Sequence, residues 1–263
     1  MSRIRPPFKY YGGKYYLCKW IVSNMPNHSI YIEPFGGGAS VLLNKPITKK
    51  EIYNDLNADV SNLMRLIRDE KKLLMSVLKK IPCEEEVFYE WKNKTPKDSF
   101  ESSVRYFVLL RMSRSGSITS FSKSKRTCGG IPENASAWKS GIENLEKISA
   151  RLQNVEIKSE DAMQLLKQYD SEDALWYLDP PYVAQTRASK KIYKIEMTDD
   201  SHVSLANICR SAKSKILLSG YESDLYSKLF SDWKSEKKTQ FLHSSHSHGK
   251  KKQTKNEILW KNF

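Results

Sequence analysis

Apolar residues fall in two different rhythms along this chain. Near the N-terminus, Ile30-Tyr31-Ile32-Glu33 predicts a strand, followed by a glycine turn and a short helix near Ala39–Leu43. A second short run, Glu51-Ile52-Tyr53, predicts a strand that ends on Asn54-Asp55. The rhythm returns late in the chain. Val155-Glu156-Ile157 predicts a strand, Asp161–Tyr169 a helix, and Leu175–Leu178 a buried strand rich in aromatics. Thr198-Asp199-Asp200 is a helix start, a capping hydroxyl followed by carboxylates that oppose the helix dipole. That helix carries Val203, Ala206, Cys209 and Ala212 toward another strand at Lys215–Ser219, and Glu257–Trp260 predicts the last one. Strands alternating with helices predict an α/β fold with a largely parallel sheet covered on both faces.

Between residues 59 and 150 the rhythm changes to helical. Val60, Leu63, Met64 and Ile67 are spaced as one helix face, as are Phe100, Val104, Phe107 and Val108. Trp138 with the Ile142, Leu145, Ile148 stripe reads as core. No internal repeat is found. The pattern therefore divides the chain into two α/β regions, 1–58 and 151–263, around a mostly helical segment, 59–150.

With 39% hydrophobic and 28% charged residues, the 263-residue chain can bury a real core and is not disordered. A net charge of +14 makes nucleic acid the leading partner. No apolar run approaches the roughly 18 residues of a spanning helix, and the first residues predict no secretory signal. Cys18, Cys83, Cys128 and Cys209 are scattered without a CxxC pair, so they read as reduced thiols of a cytosolic protein, neither a disulfide frame nor a zinc site. Inside the helical segment, Arg111–Arg126 carries five basic residues and no acid, interleaved with Ser, Thr and Phe. Such a piece suits phosphate contacts, with small hydroxyl donors around the charges. Its cations are Arg111, Arg114, Lys123, Lys125 and Arg126. The histidine-rich His243–His248 tract runs into three lysines and reads as a mobile basic loop rather than a metal site. Arg187, Lys190 and Lys191 either clamp a DNA backbone or are solvated.

Chemistry concentrates at strand ends. Leu175–Leu178 runs into Asp179-Pro180-Pro181-Tyr182, where two prolines stiffen the backbone and remove donors. The turn offers a carboxylate, unclaimed carbonyls and a flat ring, a set suited to a planar molecule with an exocyclic amine. Glu33-Pro34-Phe35-Gly36-Gly37-Gly38 follows the first strand, where glycines let backbone N–H groups approach a ligand. Asp55 ends the next strand, where nucleoside-binding folds place a carboxylate for ribose hydroxyls. Tyr10-Tyr11-Gly12-Gly13-Lys14 adds rings, a flexible turn and a cation.

Together, Phe8–Lys14, Glu33–Gly38, Asn54-Asp55-Leu56-Asn57 and Asp179–Tyr182 resemble the Dam-type amino-methyltransferases, DNA adenine methylases that use S-adenosylmethionine. Ser219-Gly220-Tyr221 and Glu257–Trp260 are similar to the family's C-terminal half. The motifs follow the family's order: cofactor motif, target-recognition insert, catalytic motif. The resemblance implies a Rossmann-like methyltransferase sheet, built from 1–58 and 151–263, with an inserted helical recognition domain at 59–150 that carries a basic loop or hairpin. It places Tyr10, Lys14, Asp55 and Asp179 against the methyl donor, with Glu33 in the same cofactor motif. Phe35, Gly36 and Gly38 wrap the donor's methionine part. Tyr10 departs from the tryptophan frequent in relatives. Asp179 and the Pro180 carbonyl accept hydrogen bonds from the adenine amine, and Tyr182 stacks on the base.

The implied reaction is site-specific N6 methylation of a flipped-out adenine in double-stranded DNA, with no metal and no obligatory protein partner, in a bacterial cytoplasm. Cytosine-N4 methylation is the alternative, because that amine needs the same acceptors. Asp179 favours adenine, since many cytosine relatives carry serine there. RNA adenine methyltransferases more often show asparagine at that position. A non-catalytic DNA-binding protein that retains the fold is the reading from a different class; it requires decayed motifs, and these are intact.

Overall fold

The computed structural model describes residues 3–124, 126–186, 195–241 and 254–263. The strands are β1 (Ile30–Glu33), β2 (Lys50–Asn54), the short β3 (Thr127–Cys128) and β4 (Ile131–Pro132), β5 (Val155–Lys158), β6 (Ala174–Leu178), β7 (Lys215–Tyr221), β8 (Lys234–Phe241) and β9 (Thr254–Lys261). Seven form one mostly parallel sheet, in the order β5-β2-β1-β6-β7-β9-β8, while β3 and β4 make a separate hairpin. β1 runs parallel to β2 and β6, and β6 parallel to β7; β9 is antiparallel to both β7 and β8.

The described α-helices are α1 (Cys18–Ser23), α2 (Ala58–Asp69), α3 (Lys71–Leu78), α4 (Glu85–Asn93), α5 (Ser99–Met112), α6 (Glu133–Glu143), α7 (Leu145–Leu152), α8 (Ala162–Gln168), α9 (Asp199–Ser211) and α10 (Asp224–Leu229). None is long and apolar enough to cross a membrane.

By its contacts the chain divides into two compact units. The first takes Met1–Val22, Gly36–Ile47 and Asp55–Ser159; the second takes Ser23–Phe35, Thr48–Asn54 and Glu160–Phe263. Residues 59–150 thus lie wholly in the first unit, together with the N-terminal stretch and the segment after the glycine turn.

In the first unit, α2 starts where Asn57 accepts the Asp59 N–H, and its predicted stripe Val60, Leu63, Met64, Ile67 is fully buried. Asp98 caps α5 through the Glu101 N–H, and Val104, Phe107 and Val108 face inward from it. Trp138 of α6 packs its ring 5.6 Å from Phe107 and donates its indole N–H to the Ile81 carbonyl at 3.1 Å. Ile142, Leu145 and Ile148 are buried beside it, as the pattern predicts.

In the second unit, β6 is buried on both faces along its whole length, the condition that makes a parallel strand read as an unbroken apolar run. Its core gathers Ile32, Ile52, Trp176, Leu178, Leu205, Ile216, Leu218 and Trp260. Fully burying a side chain of this size contributes about 1.5–3 kcal/mol. The Tyr226 ring meets His202, Phe230 and Trp260 edge-on. Asn54, fully buried, donates to the Pro34 and Glu160 carbonyls at 2.9 and 3.0 Å and accepts the Glu160 N–H. That clasp ties the exits of β1 and β2 to the approach to α8.

Three local expectations change. The short helix near Ala39–Leu43 is a single 3-10 turn at Leu42–Asn44, preceded by Ala39 at φ 54°. The left-handed residue keeps a helix from starting there. The Thr198 hydroxyl caps α9 through the Ser201 N–H, but the helix stops at Ser211. Its buried face is His202, Leu205, Ala206 and Cys209, so Val203 and Ala212 do not define it. The hydropathy pattern gave no sign of β8. Its Lys-Ser-Glu-Lys-Lys-Thr run is exposed, in keeping with an edge strand whose lysines discourage further pairing.

Candidate active-site residues

Three ligand-type turns leave the carboxyl ends of parallel strands, the edge at which open α/β sheets bind ligands. The glycine turn follows β1, Asp55 follows β2 and Asp179 follows β6.

Within the first unit, the N-terminal turn and the glycine turn meet. The Gly13 N–H donates to the Tyr10 carbonyl at 3.1 Å, and Gly12 sits at φ 75°. Lys14 is buried at 4% exposure, with its Nζ donating to the Gly12 carbonyl at 2.9 Å. Gly37 has φ 47°, and a Cβ added there would lie 2.8 Å from Cδ1 and Cε1 of Tyr10. The Tyr10 ring therefore rests on the glycine turn, with Gly36 and Gly38 buried on either side of the contact. The Gly37 N–H donates to Asp55 Oδ2 at 2.8 Å, and the Asn57 N–H donates to Oδ1 at 2.9 Å. Burial raises the proton affinity of Asp55, while these two N–H groups pull it back. The Asp55 carbonyl accepts from the Ser61 and Ser159 hydroxyls at 2.7 and 3.0 Å, which fixes the residue's backbone as well.

We expect Gly37→Ala to destabilise the protein by about 1–3 kcal/mol, since it forces a Cβ into a left-handed backbone against a ring. Thermal melting reads this as a lowered Tm; an unchanged Tm would show that the turn relaxes freely.

Glu33 and Phe35, expected in the cofactor motif, belong to the second unit. Glu33 is 3% exposed and accepts the Tyr31 hydroxyl at 2.7 Å; burial and then Glu33 hold the Tyr31 phenol well above its ordinary pKa. Phe35 is half-buried and packs against the second unit's core.

The Asp179-Pro180-Pro181-Tyr182 turn also belongs to the second unit. Asp179 is half-buried, and its Oδ1 accepts the Ser219 hydroxyl of β7 at 3.1 Å. That hydroxyl also lies 3.1 Å from the Tyr177 hydroxyl of β6. Pro180 is buried. Tyr182 is 4% exposed and donates its hydroxyl to Glu257 Oε1 at 2.8 Å, while its ring centroid lies 4.4 Å from that of Tyr221. Glu257, wholly buried, is the register partner of Tyr221 across β7 and β9. Lys255 places its Nζ over the Tyr221 ring and donates to the Thr186 carbonyl. The Ser219–Asp179 and Tyr182–Glu257 bonds are not visible in the strand pattern. The signal that could have pointed to the first is Ser219, a lone polar residue after the apolar Ile216–Leu218 run of β7.

The basic segment divides by environment. Arg111, in the last turn of α5, is half-buried and donates to the Ala137 carbonyl of α6, and burial lowers its proton affinity. It joins two helices of the first unit rather than standing open as a surface cation. Arg114 and Arg126 are exposed, and Lys123 pairs with Glu85 at 2.6 Å on the surface. Lys125, the Arg187, Lys190, Lys191 group and the His243–His248 tract lie outside the described residues. Among the described residues no group of three or more His, Cys, Asp or Glu could hold a metal ion.

A mostly parallel sheet flanked by helices is consistent with the fold of S-adenosylmethionine-dependent methyltransferases. Residues 10–246 match the D12 class N6 adenine-specific DNA methyltransferase family, and the chain belongs to that family. The enzyme class is therefore an adenine-specific DNA methyltransferase. Relatives cover the chain broadly. Type II methyltransferase M.MjaIII of Methanocaldococcus jannaschii is 26% identical over 260 residues, spanning 86% of this chain and 88% of the relative. Type II methyltransferase M1.LlaDCHI of Lactococcus lactis subsp. cremoris is 25% identical over 272 residues, or 97% and 93%. DNA adenine methylase of Escherichia coli (strain K12) is 28% identical over 122 residues, 44% of each chain.

Proposed function

We propose that this protein transfers a methyl group from S-adenosylmethionine to N6 of a flipped-out adenine at a specific site in double-stranded DNA. The observation that carries the reading is Asp179, a half-buried carboxylate at the end of the wholly buried β6, with Oδ1 held by Ser219. When bound, S-adenosylmethionine supplies an electrophilic methyl group on a sulfonium.

The residues present fit such a cofactor. Asp55 accepts two backbone N–H groups, and a carboxylate offers about four lone-pair sites, so ribose hydroxyls can still be accepted. Tyr10, Lys14, Gly36 and Gly38, grouped at the glycine turn, would hold the cofactor together with Asp55. Phe35 and Glu33 follow from the same motif, Glu33 acting by way of its buried position rather than from an open face.

At the target, the adenine amine is a poor nucleophile because its lone pair is delocalised into the ring. Asp179 and the Pro180 carbonyl accept its hydrogens and favour a more tetrahedral nitrogen as positive charge develops there. This is stabilisation by groups already in place before reaction. No strong base is needed, since a cationic nitrogen loses its proton readily. Tyr182, 4% exposed beside Tyr221, stacks on the base once its ring is uncovered, and flipping costs a few kcal/mol of lost stacking and pairing. The helical 59–150 segment reads the target, with Arg114, Lys123, Lys125 and Arg126 on phosphates or base edges. Arg111 supports that segment from within. The site of action is the cytoplasm of a bacterium, for a host or phage-borne enzyme alike.

Nucleoside mass spectrometry tests the reading. Unmethylated duplex DNA incubated with the protein and S-adenosylmethionine should yield N6-methyladenine at one recurring sequence. N4-methylcytosine would overturn the choice of base. Methylation of single strands or RNA alone would overturn the duplex substrate.

A further inference from the structure

We infer that Ser219, itself oriented by Tyr177, is a positioning residue that fixes the plane of the Asp179 carboxyl group for methyl transfer; this rests on the role proposed above for Asp179. β6 and β7 are parallel neighbours with Leu178 opposite Leu218, so the next positions, Asp179 and Ser219, lie side by side. Tyr177 and Asp179 are two residues apart on β6 and its exit, hence on the same side of the sheet. The result is a line of three oxygens: the Tyr177 hydroxyl, the Ser219 hydroxyl 3.1 Å away, and Asp179 Oδ1 a further 3.1 Å on.

The direction of the bonds follows from the donors available. An ionised carboxylate only accepts, and a serine hydroxyl has one proton. Of the two acceptors near the Ser219 hydroxyl, Asp179 Oδ1 at 3.1 Å is closer than the Leu178 carbonyl at 3.5 Å and charged besides. Ser219 therefore gives its proton to Asp179, and Tyr177 gives its own to Ser219. Tyr177 stays a donor: burial first, then Asp179, and less so Glu33 and Glu257, hold its phenol well above the ordinary range, outweighing the lowering effect of the Ser219 hydrogen bond. Ser219 is wholly buried, so no water competes for the bond at the Ser219 end. The sheet thus holds one edge of the acceptor in place before substrate arrives, and a carboxyl group free to rotate would have to be ordered during each turnover.

The test compares Ser219→Ala, Ser219→Thr and Tyr177→Phe with Asp179→Ala in single-turnover methylation, with DNA and cofactor affinities and Tm measured alongside. Ser219→Ala should slow the methyl-transfer step about 5- to 30-fold, with KM for both substrates little changed. Ser219→Thr, which keeps the hydroxyl, should recover most of the rate. Tyr177→Phe should lose less, and the Ser219→Ala/Tyr177→Phe double variant should be no slower than Ser219→Ala, because Tyr177 acts through Ser219. Inactive Asp179→Ala beside wild-type rates in Ser219→Ala and Tyr177→Phe would overturn the positioning role. An active Asp179→Ala would instead overturn the reading of Asp179 itself. Should Ser219→Ala fail to fold, Tyr177→Phe carries the same test: a wild-type rate overturns the proposal.

Discussion

Asp179→Ala should lower the single-turnover methylation rate by about 10²–10³-fold or more, while the dissociation constant for DNA stays close to that of the parent protein. In the proposed role the acceptor lost is the one aimed at the charge that develops on the attacking nitrogen, so ground-state DNA binding should barely register its absence. In steady-state terms, kcat and kcat/KM should fall together. A folded variant that still methylates at near the parent rate would remove Asp179 from the reaction. The stability of the turn should survive, because β6 is held by its buried apolar run and not by the carboxylate.

Asp55→Ala should raise the dissociation constant for S-adenosylmethionine by about 10- to 100-fold, as expected for losing charge-assisted bonds of about 1.5–3 kcal/mol. Two effects combine. The proposed ribose acceptor disappears, and the Gly37 and Asn57 N–H groups lose the oxygens they donate to. Asp55→Asn should fall between, because the amide has one accepting oxygen while its NH2 would face the other N–H. Calorimetric titration reads both variants, and parent-like affinity in Asp55→Ala would exclude Asp55 from the cofactor site. The pH dependence has a definite sign. Burial raises the proton affinity of Asp55, so as pH falls the acceptor is neutralised earlier than an ordinary aspartate would be. Cofactor affinity should therefore begin to drop at a higher pH than an unperturbed carboxylate would give.

Much of this fold was legible because burial and sequence pattern coincide. β6 is wholly buried and wholly apolar, and the stripe on α2 is the face it buries. The strand exits were legible for a covalent reason: glycines, prolines and carboxylates mark them directly in the chain. Where pattern and environment separate, reading fails. β8 offers no apolar alternation because it is exposed, and only its pairing with β9 makes it a strand. The α9 face turns toward His202, a buried histidine whose Nδ1 lies 3.0 Å from the Tyr226 hydroxyl, and hydropathy gives such a residue no weight. Arg111 counts as a surface cation in any tally of charge, yet its partner is a carbonyl 26 residues away. Tyr182 and Glu257, 75 residues apart, are likewise joined by a hydrogen bond that only the fold creates.

Asp55 opens the long 55–159 stretch of the first unit, while its bond partner Gly37 lies in the separate 36–47 stretch. For genes that diversify by recombination, this arrangement has a cost. A crossover at 58/59 cuts α2 after its first residue, and one at 150/151 shortens α7 by its last two. Junctions at 54/55 and 159/160 spare both helices but separate Asp55 from Gly37 by parentage. A chimera joined at 54/55 and 159/160 therefore sets a foreign aspartate against a resident glycine turn. With 59–150 reading the target and Asp55 holding the cofactor as proposed, such a chimera would exchange target choice and cofactor grip together.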